Sequence, residues 1–346
     1  MRVLVTGADG YIGARLAPFL AQRGHDVVGL DAGFYADGWL GENGTRPFPC
    51  RRGDTRSLGD ADLAGVEAVV HLGELSNDPL GQLDPGLTRH VNYRGSVALA
   101  ARCRRNGVRR FVYSSSCSVY GAAADGVVSE ASAPAPQTAY AECKVLVERA
   151  LAGLAGPDFS PTILRNATAF GSSPRMRFDV VLNNLAGLAW TTGEIRMVSD
   201  GTPWRPLVHV LDICEAVACV LQAPRAAVAG ATFNVGDDAQ NYRVREIAEI
   251  VGEVFPGCRL AFGPSQGDRR SYRVSFARIH EALPGFRCRR DARHGAAELR
   301  EWFERLGLSR EHFEFRAFTR LRQLEHLLRT GQIDRHLRWR PAAQAA

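Results

Sequence analysis

A chain of 346 residues is long enough to bury a large core, in one domain or in two intimate ones. Its composition, 45% hydrophobic and 23% charged, is that of an ordinary globular protein, and no apolar run approaches the ~18 residues a membrane-spanning helix needs. The net charge of +6 rests on arginines spread along the chain and, from Arg287 to Arg340, mixed with glutamates such as Glu298, Glu301 and Glu304; that pattern reads as a solvated helical surface, and no nucleic-acid partner is expected.

In chain order, Met1-Arg2 leads directly into Val3-Leu4-Val5, which reads as a first core strand and not as a signal peptide, so a cytoplasmic protein is expected. Apolar strand-like runs follow at Val3–Thr6, Asp26–Leu30, Ala68–His71, Arg110–Ser114 and Thr162–Leu164. Helical apolar spacing lies between them at Ile12–Gln22, Pro85–Arg105 and Tyr140–Leu154. Continuous apolar strands alternating with amphipathic helices predict an α/β fold, a doubly wound parallel sheet of the Rossmann type with ligands outside the carboxyl ends of the strands. After about Phe170 the alternation loosens at Gly171-Ser172-Ser173-Pro174, Gly201-Thr202-Pro203 and Gly263-Pro264-Ser265, with helices near Asp179–Trp190, Leu211–Gln222 and Arg243–Val254. This reading gives a first domain over residues 1–170, to which 207–240 return, and a smaller interleaved substrate lobe from 171–206 and 241–346. The eight cysteines form no CxxC pair and the nine histidines show no ligand spacing, so free thiols and no metal are expected.

Thr6-Gly7-Ala8-Asp9-Gly10-Tyr11-Ile12-Gly13 joins the first strand to the first helix. Gly7 permits the tight turn, Gly10 lets the backbone approach a pyrophosphate, Gly13 allows close helix–strand packing, and the helix N-terminus supplies N–H donors. Asp31 ends the second strand, where a carboxylate accepts from a ribose 2′-hydroxyl and repels a 2′-phosphate, so NAD is favoured over NADP. Asp54, in Gly53-Asp54-Thr55, is either an acceptor for the adenine amino group or a turn or helix cap.

Tyr140-Ala141-Glu142-Cys143-Lys144 sets a phenol and an ammonium one helical turn apart on one face, an arrangement that favours the phenolate and suits proton exchange with a substrate hydroxyl. Lys144 is the single lysine among 43 basic residues. Guanidinium cannot easily replace a compact ammonium that must reach both ribose hydroxyls and the tyrosine. Tyr113-Ser114-Ser115-Ser116-Cys117-Ser118-Val119-Tyr120-Gly121 ends another strand on the ligand edge, where a hydroxyl could align the reacting sugar oxygen with Tyr140.

Together these residues resemble the extended short-chain dehydrogenase/reductase family, particularly its nucleotide-sugar epimerases and dehydratases, and most closely its UDP-glucose 4-epimerase-like members. The glycine loop, Asp31, Gly53-Asp54, His71-Leu72-Gly73, Asn92, the serine-rich strand end and Tyr140 with Lys144 occur in that family's order. Leu164-Arg165-Asn166, Asn183-Asn184-Leu185, Gly201-Thr202-Pro203-Trp204-Arg205 and Val208-His209-Val210-Leu211-Asp212 continue the likeness to about residue 285. The resemblance implies that NAD is held by Gly7, Gly10, Tyr11, Ile12, Gly13, Asp31, Asp54, Thr55, Leu72, Gly73, Asn92, Ser114, Tyr140 and Lys144. It implies catalysis by Tyr140, Lys144 and Ser116, and a nucleotide-diphosphate sugar held by Ser116, Thr168, Asn184, Arg205 and Arg270, with Arg269 a competitor for the last position. A homodimer through the helices Pro85–Arg105 and Tyr140–Leu154 is implied in the same way.

Three positions depart from the family pattern. Cys117 and Ser118 stand where its dehydratases carry Asp-Glu, which disfavours elimination of water. Glu74 puts a charge where small residues are usual, and Thr168 replaces a frequent substrate-binding Asn. The expected activity is NAD-dependent epimerisation of a nucleotide-linked hexose or heptose at C4, through a transient 4-keto sugar. An NAD(P)-dependent keto-sugar reductase or dehydrogenase is the alternative, and a non-catalytic RNA-binding family member a more distant one.

Overall fold

Short runs of valine, leucine and isoleucine, buried on both faces, build the central sheet. In the computed structural model, which describes residues 1–40, 48–76, 81, 84–122, 126–264 and 270–341, seven strands form it: β1 (Arg2–Thr6), β2 (Asp26–Asp31), β3 (Cys50–Arg52), β4 (Ala68–His71), β5 (Arg110–Ser116), β7 (Ser160–Asn166) and β11 (Thr232–Val235). They lie in the order β11-β7-β5-β4-β1-β2-β3, every neighbouring pair parallel. The chain starts at β1, moves outward through β2 to β3, then crosses back to β4 on the other side of β1. That reversal opens a crevice at the carboxyl ends of β1 and β4, the place where such sheets bind ligands. The α/β doubly wound class expected from the sequence is the observed one.

Three smaller sheets stand beside it. β8 (Thr168–Phe170), β10 (Trp204–His209) and β12 (Asn241–Arg243) form one, with β10 central; β9 (Glu194–Arg196) pairs with β13 (Arg259–Ala261), and β6 (Val127–Val128) with β14 (Arg273–Val274). The principal helices are α1 (Gly13–Gln22), α2 (Ser96–Arg105), α3 (Ala139–Leu154), α4 (Val181–Thr192), α5 (Val210–Gln222), α6 (Val244–Val254), α7 (Ala292–Leu306) and α8 (Arg320–Arg329). Leu16, Ala17 and Leu20 of α1 share one apolar core with Ile213, Val217 and Val220 of α5, while Leu99 and Cys103 of α2 pack with Val147 and Leu151 of α3 on the opposite face. None of the helices among the described residues is long and apolar enough to cross a membrane, and all eight cysteines are free.

Two expectations need correction. The segment Pro85–Arg105 is not one regular helix: Pro85–Thr88 and Ser96–Arg105 are α-helical, and Arg89–Gly95 between them is a wider π turn. The wide turn coincides with Asn92, whose carboxamide points inward, donating to the Leu75 carbonyl at 2.9 Å and accepting from its N–H at 2.8 Å. Nor is the arginine-rich tail only a solvated surface. Leu299, Trp302 and Phe303 of α7, with Phe318, close an apolar core around Phe178 and Leu182, and each such side chain contributes about 1.5–3 kcal/mol by burial. Leu324, Leu327, Ile333 and Leu337 form a further cluster with Leu75.

Candidate active site

A cavity of about 770 Å³ runs along the carboxyl ends of the central strands, from the glycine loop past Tyr140 to Arg205 and Arg270. Gly7, Gly10, Tyr11, Ile12 and Gly13 line its first wall. Gly7 has φ +72°, and a Cβ there would stand 2.8 Å from the Leu72 and Gly73 backbone; a Cβ on Gly13 would stand 2.1 Å from the Gly7 carbonyl. Only glycine permits this close approach of loop, helix and neighbouring strand end. No side chain caps α1; the Ala14 N–H donates to the Gly10 carbonyl at 2.9 Å and the Arg15 N–H to the Ile12 carbonyl at 3.0 Å, and the positive end of the helix dipole still lies at the loop. The Tyr11 hydroxyl donates to the Gly171 carbonyl at 2.7 Å, and burial pushes its ionisation well above the usual phenol range.

Asp31 ends β2 with its carboxylate held by two backbone amides, Gly33 at 2.7 Å and Asp9 at 3.1 Å. Burial raises its pKa, while the Gly33 amide opposes that shift. Asp54 and Thr55 also line the cavity, but Asp54 is heavily engaged: it caps the turn Thr55–Ser57, meets the Arg56 guanidinium at 2.6 Å and lies 3.0 Å from Arg338. Its partial burial opposes the charge, and the contacts with Arg56 outweigh that and hold the carboxyl below its ordinary value. Of the two readings of Asp54, the turn cap is the one seen here, and the residue also lines the cavity. Leu72 and Gly73 face the cavity; Asn92 does not, because its carboxamide is bonded behind the wall to Leu75.

The catalytic candidates converge across the middle. Thr138 caps α3 by accepting from the Ala141 N–H at 3.2 Å, which starts the helix with Tyr140 in its first turn. Tyr140 and Lys144 both line the cavity, with the Lys144 Nζ 5.4 Å from the phenol ring centre. That ammonium donates to the Ser114 carbonyl and pairs with Glu74 at 2.7 Å. Burial alone would depress the lysine, but Glu74 and Tyr140 outweigh burial and hold it above its ordinary value. Ser114 and Ser116 reach the cavity from the end of β5. The Ser114 Oγ accepts from the Asn166 carboxamide at 2.9 Å, and the Ser116 Oγ accepts from the Ser118 N–H at 3.1 Å. Cys117 turns away from this space: the residue is 1% exposed and its thiol donates to the Arg165 carbonyl.

Toward the far end, Thr168 starts β8, and Asn184 of α4 donates to the Phe178 carbonyl at 2.9 Å. Arg205 of β10 donates to the carbonyls of Trp204 and Arg270, which ties the two arginine segments together at the wall. Thr168, Asn184, Arg205 and Arg270 all line the cavity. Gly267, Asp268 and Arg269 lie outside the described residues, as does Ser265.

Sequence reasoning missed three parts of this site. Glu74 is a buried partner of the lysine; its charge next to Leu72-Gly73 was the only hint. Arg177 lines the cavity, pairs with Asp179 at 2.7 Å and is close enough to Tyr140 to interact electrostatically, yet nothing in Met176-Arg177-Phe178 announces it. The third part is the tail, where Arg320, Leu321 and Leu337 close the Asp31–Asp54 end.

A doubly wound sheet whose switch point carries this glycine cradle, a carboxylate at the end of β2 and a Tyr–Lys pair defines a dinucleotide-dependent enzyme. The profile of the NAD dependent epimerase/dehydratase family matches residues 3–236, and the chain belongs to that family, one of NAD-dependent enzymes acting on nucleotide sugars. It is 32% identical over 317 residues to a UDP-glucose 4-epimerase of Mycolicibacterium smegmatis, covering 88% of this chain and 98% of that one. A dTDP-glucose 4,6-dehydratase of Streptomyces griseus is 28% identical over 318 residues, covering 88% and 94%. Among solved structures, MoeE5 in complex with UDP-glucuronic acid and NAD superposes with a TM-score of 0.75 at 31% identity, covering 88% of this chain and 99% of that one.

Proposed function

We propose that this protein is an NAD-dependent epimerase that inverts C4 of a nucleotide-linked hexose or heptose, with a UDP-linked sugar as the first candidate because two of the three similar proteins, the Mycolicibacterium epimerase and MoeE5, are described with such sugars. The observation that carries the reading is one continuous cavity in which Tyr140, Lys144 and Ser116 stand between the glycine cradle and the Arg205–Arg270 wall. The glycine positions that tolerate no Cβ, the start of α1 at the loop and the Asp31 carboxylate fit NAD, which when bound supplies the acceptor and donor of hydride.

Each residue then has a defined task. Ser116 hydrogen-bonds the C4 oxygen, Tyr140 as phenolate accepts the hydroxyl proton while C4 becomes a carbonyl, and the same phenol returns that proton after the keto sugar has turned over. Lys144 favours the phenolate, and Arg205 with Arg270 holds the diphosphate. Water elimination would need an acid beside Ser116. Cys117 is buried away from the cavity with its ionisation pushed up by burial, and Ser118 offers only an alcohol, which supports epimerisation over dehydration. The protein acts as a homodimer through the Pro85–Arg105 and α3 helices.

Incubating the purified protein with a panel of nucleotide sugars, no cofactor added, and following the anomeric and H4 signals by NMR tests this reading. A new stereoisomer at constant total sugar is expected. Turnover that requires added NAD or NADPH and yields an oxidised or reduced sugar would make the protein a dehydrogenase or reductase, and loss of the C6 hydroxyl would make it a dehydratase.

A further inference from the structure

We propose that Glu74 is a positioning residue that tethers the ammonium of Lys144 and offsets its charge at Tyr140. The proposal rests on the reading of Tyr140 and Lys144 as the acid–base pair, and deepens it.

The carboxylate is fixed from several directions. Its backbone follows β4, where the Leu72 N–H donates to the Thr6 carbonyl at 3.0 Å and the Glu74 N–H donates to the Leu72 carbonyl at 2.9 Å. The next residue, Leu75, is gripped by Asn92 on both its N–H and its carbonyl. One carboxylate oxygen accepts from the Ser96 hydroxyl at 2.6 Å and from the Tyr113 hydroxyl at 2.9 Å; the other meets the Lys144 Nζ at 2.7 Å. Both side chains are at most 5% exposed. A carboxylate bound by two hydroxyls and rooted in a clamped loop does not follow the lysine; the lysine is held by it.

The charges around the pair leave it internally balanced. His71 lies 3.8 Å from Glu74, but burial pushes its imidazole down to about 4, and its two nitrogens are bonded to Thr6 and Ser96 at 2.7 Å each, so at neutral pH it adds no charge. From α3, Lys144 is faced by Tyr140 and Glu148, with the Cys143 thiol adjacent; from β5 it is faced by the Tyr113 ring at 4.7 Å and the Ser114 carbonyl. Arg177, which lines the same cavity, interacts electrostatically with Tyr140. Removing the Glu74 charge therefore leaves a buried ammonium and Arg177 both acting on the phenol. An unpaired ammonium favours phenolate strongly, whereas an ammonium paired at 2.7 Å presents a short dipole whose field falls off faster with distance.

Because Lys144 is the only lysine of the chain, protein grown on lysine labelled with ¹³C at the ε position gives a single side-chain signal that needs no assignment. In the unliganded, full-length protein that signal should titrate above about 10.4, the free-lysine value. A midpoint below it would mean that the lysine is buried without its carboxylate, and would overturn the proposal in the wild-type protein alone. The second arm is the ultraviolet phenolate absorbance of Glu74→Gln against wild type, with Tyr140→Phe subtracted in each background. The Tyr140 midpoint should fall by about one pH unit or more in Glu74→Gln, and Glu74→Asp should restore part of the difference. An unchanged midpoint in folded Glu74→Gln would make Glu74 merely a structural partner. Neither arm uses cofactor or sugar, so the outcome is separate from that of the epimerase reading.

Discussion

Helix α3 buries two ionic groups on one face, one turn apart, and their surroundings differ. Lys144 meets Glu74 at 2.7 Å at the cavity wall, beside Tyr140. Glu148 meets Arg165 at 2.6 Å outside the cavity, where it also accepts from Ser115 at 2.5 Å, while Arg165 donates to the Tyr120 hydroxyl and that hydroxyl donates to Asn234. Distance and burial are nearly the same in the two pairs. The difference lies in what each cation faces: Arg165 ends in a closed network of protein partners, whereas Lys144 faces a phenol that itself opens onto ligand space. Burial with a partner thus identifies a costly ionic group, and only its access to the cavity makes that group a candidate for chemistry.

The sharpest break between the pairs should come at Tyr140. Tyr140→Phe removes the proton acceptor served by Lys144 and should lower kcat by about 10²–10⁴-fold, with calorimetric binding of the nucleotide sugar retained. Full activity in that variant would take the Lys144 pair out of catalysis and leave the two pairs equivalent. Arg165→Met should do the reverse. It strands Glu148 without its guanidinium and should cost about 3–5 kcal/mol in urea unfolding, while turnover per folded molecule stays near wild type. A variant as stable as wild type would show that the Glu148 network is not a structural one.

A third ionic contact joins segments far apart in the chain and gives the comparison a pH axis. Glu298 of α7 meets His209 at 2.7 Å and accepts from the Ser172 N–H at 3.0 Å, with its side chain 23% exposed. Burial opposes its charge, but His209 and the Ser172 contacts outweigh burial and bring its carboxyl down to about 2, from an ordinary value of 4.5. A carboxyl whose folded value is depressed stabilises the fold fully above about pH 4.5, and the contribution is lost as pH falls from there toward 2. Its size is about 3 kcal/mol. Urea midpoints followed from pH 6 to pH 2 should therefore fall less steeply in Glu298→Gln than in wild type, and equal slopes would refute the assignment.

How much of this was legible depended on how local each feature is. The glycine loop, Asp31 and the Tyr140–Lys144 spacing are each set within one turn or one strand end, and all of them line the cavity. Periodicity also found α4, α5 and α6 to within a few residues. Asn92 shows the limit: the motif announces a polar residue near the site, but the π turn that aims it at Leu75 has no signature in the letters. Glu74 could be noticed but not oriented, because its partners come from β5, α2 and α3. The tail was misread because an arginine-rich amphipathic helix has the same pattern whether its polar side meets water or the edge of a cleft; Arg320 is 2% exposed.

That tail provides the smallest effect and the finest test of how the cleft is closed. Trp339 donates its indole N–H to the Ala32 carbonyl at 2.7 Å, immediately after Asp31, and stacks on Phe34 at 5.9 Å with the Arg52 guanidinium 3.9 Å above it. Arg56 donates to the carbonyls of His336 and Leu337 at 2.9 and 3.2 Å, and Leu337, which lines the cavity, is held at φ +55°, a left-handed conformation that costs a leucine on the order of 1 kcal/mol. A strained residue persists when its surroundings over-determine it, and here Trp339, Arg56 and Arg338 do so. Trp339→Ala removes an aromatic contact of about 0.5–1.5 kcal/mol, which should loosen this edge and weaken NAD binding by about two- to tenfold in calorimetry, with kcat at saturating NAD unchanged. Unaltered affinity would show that the tail lies beside the Asp31 end without contributing to it, and would confine the binding determinants to the glycine loop and the strand ends.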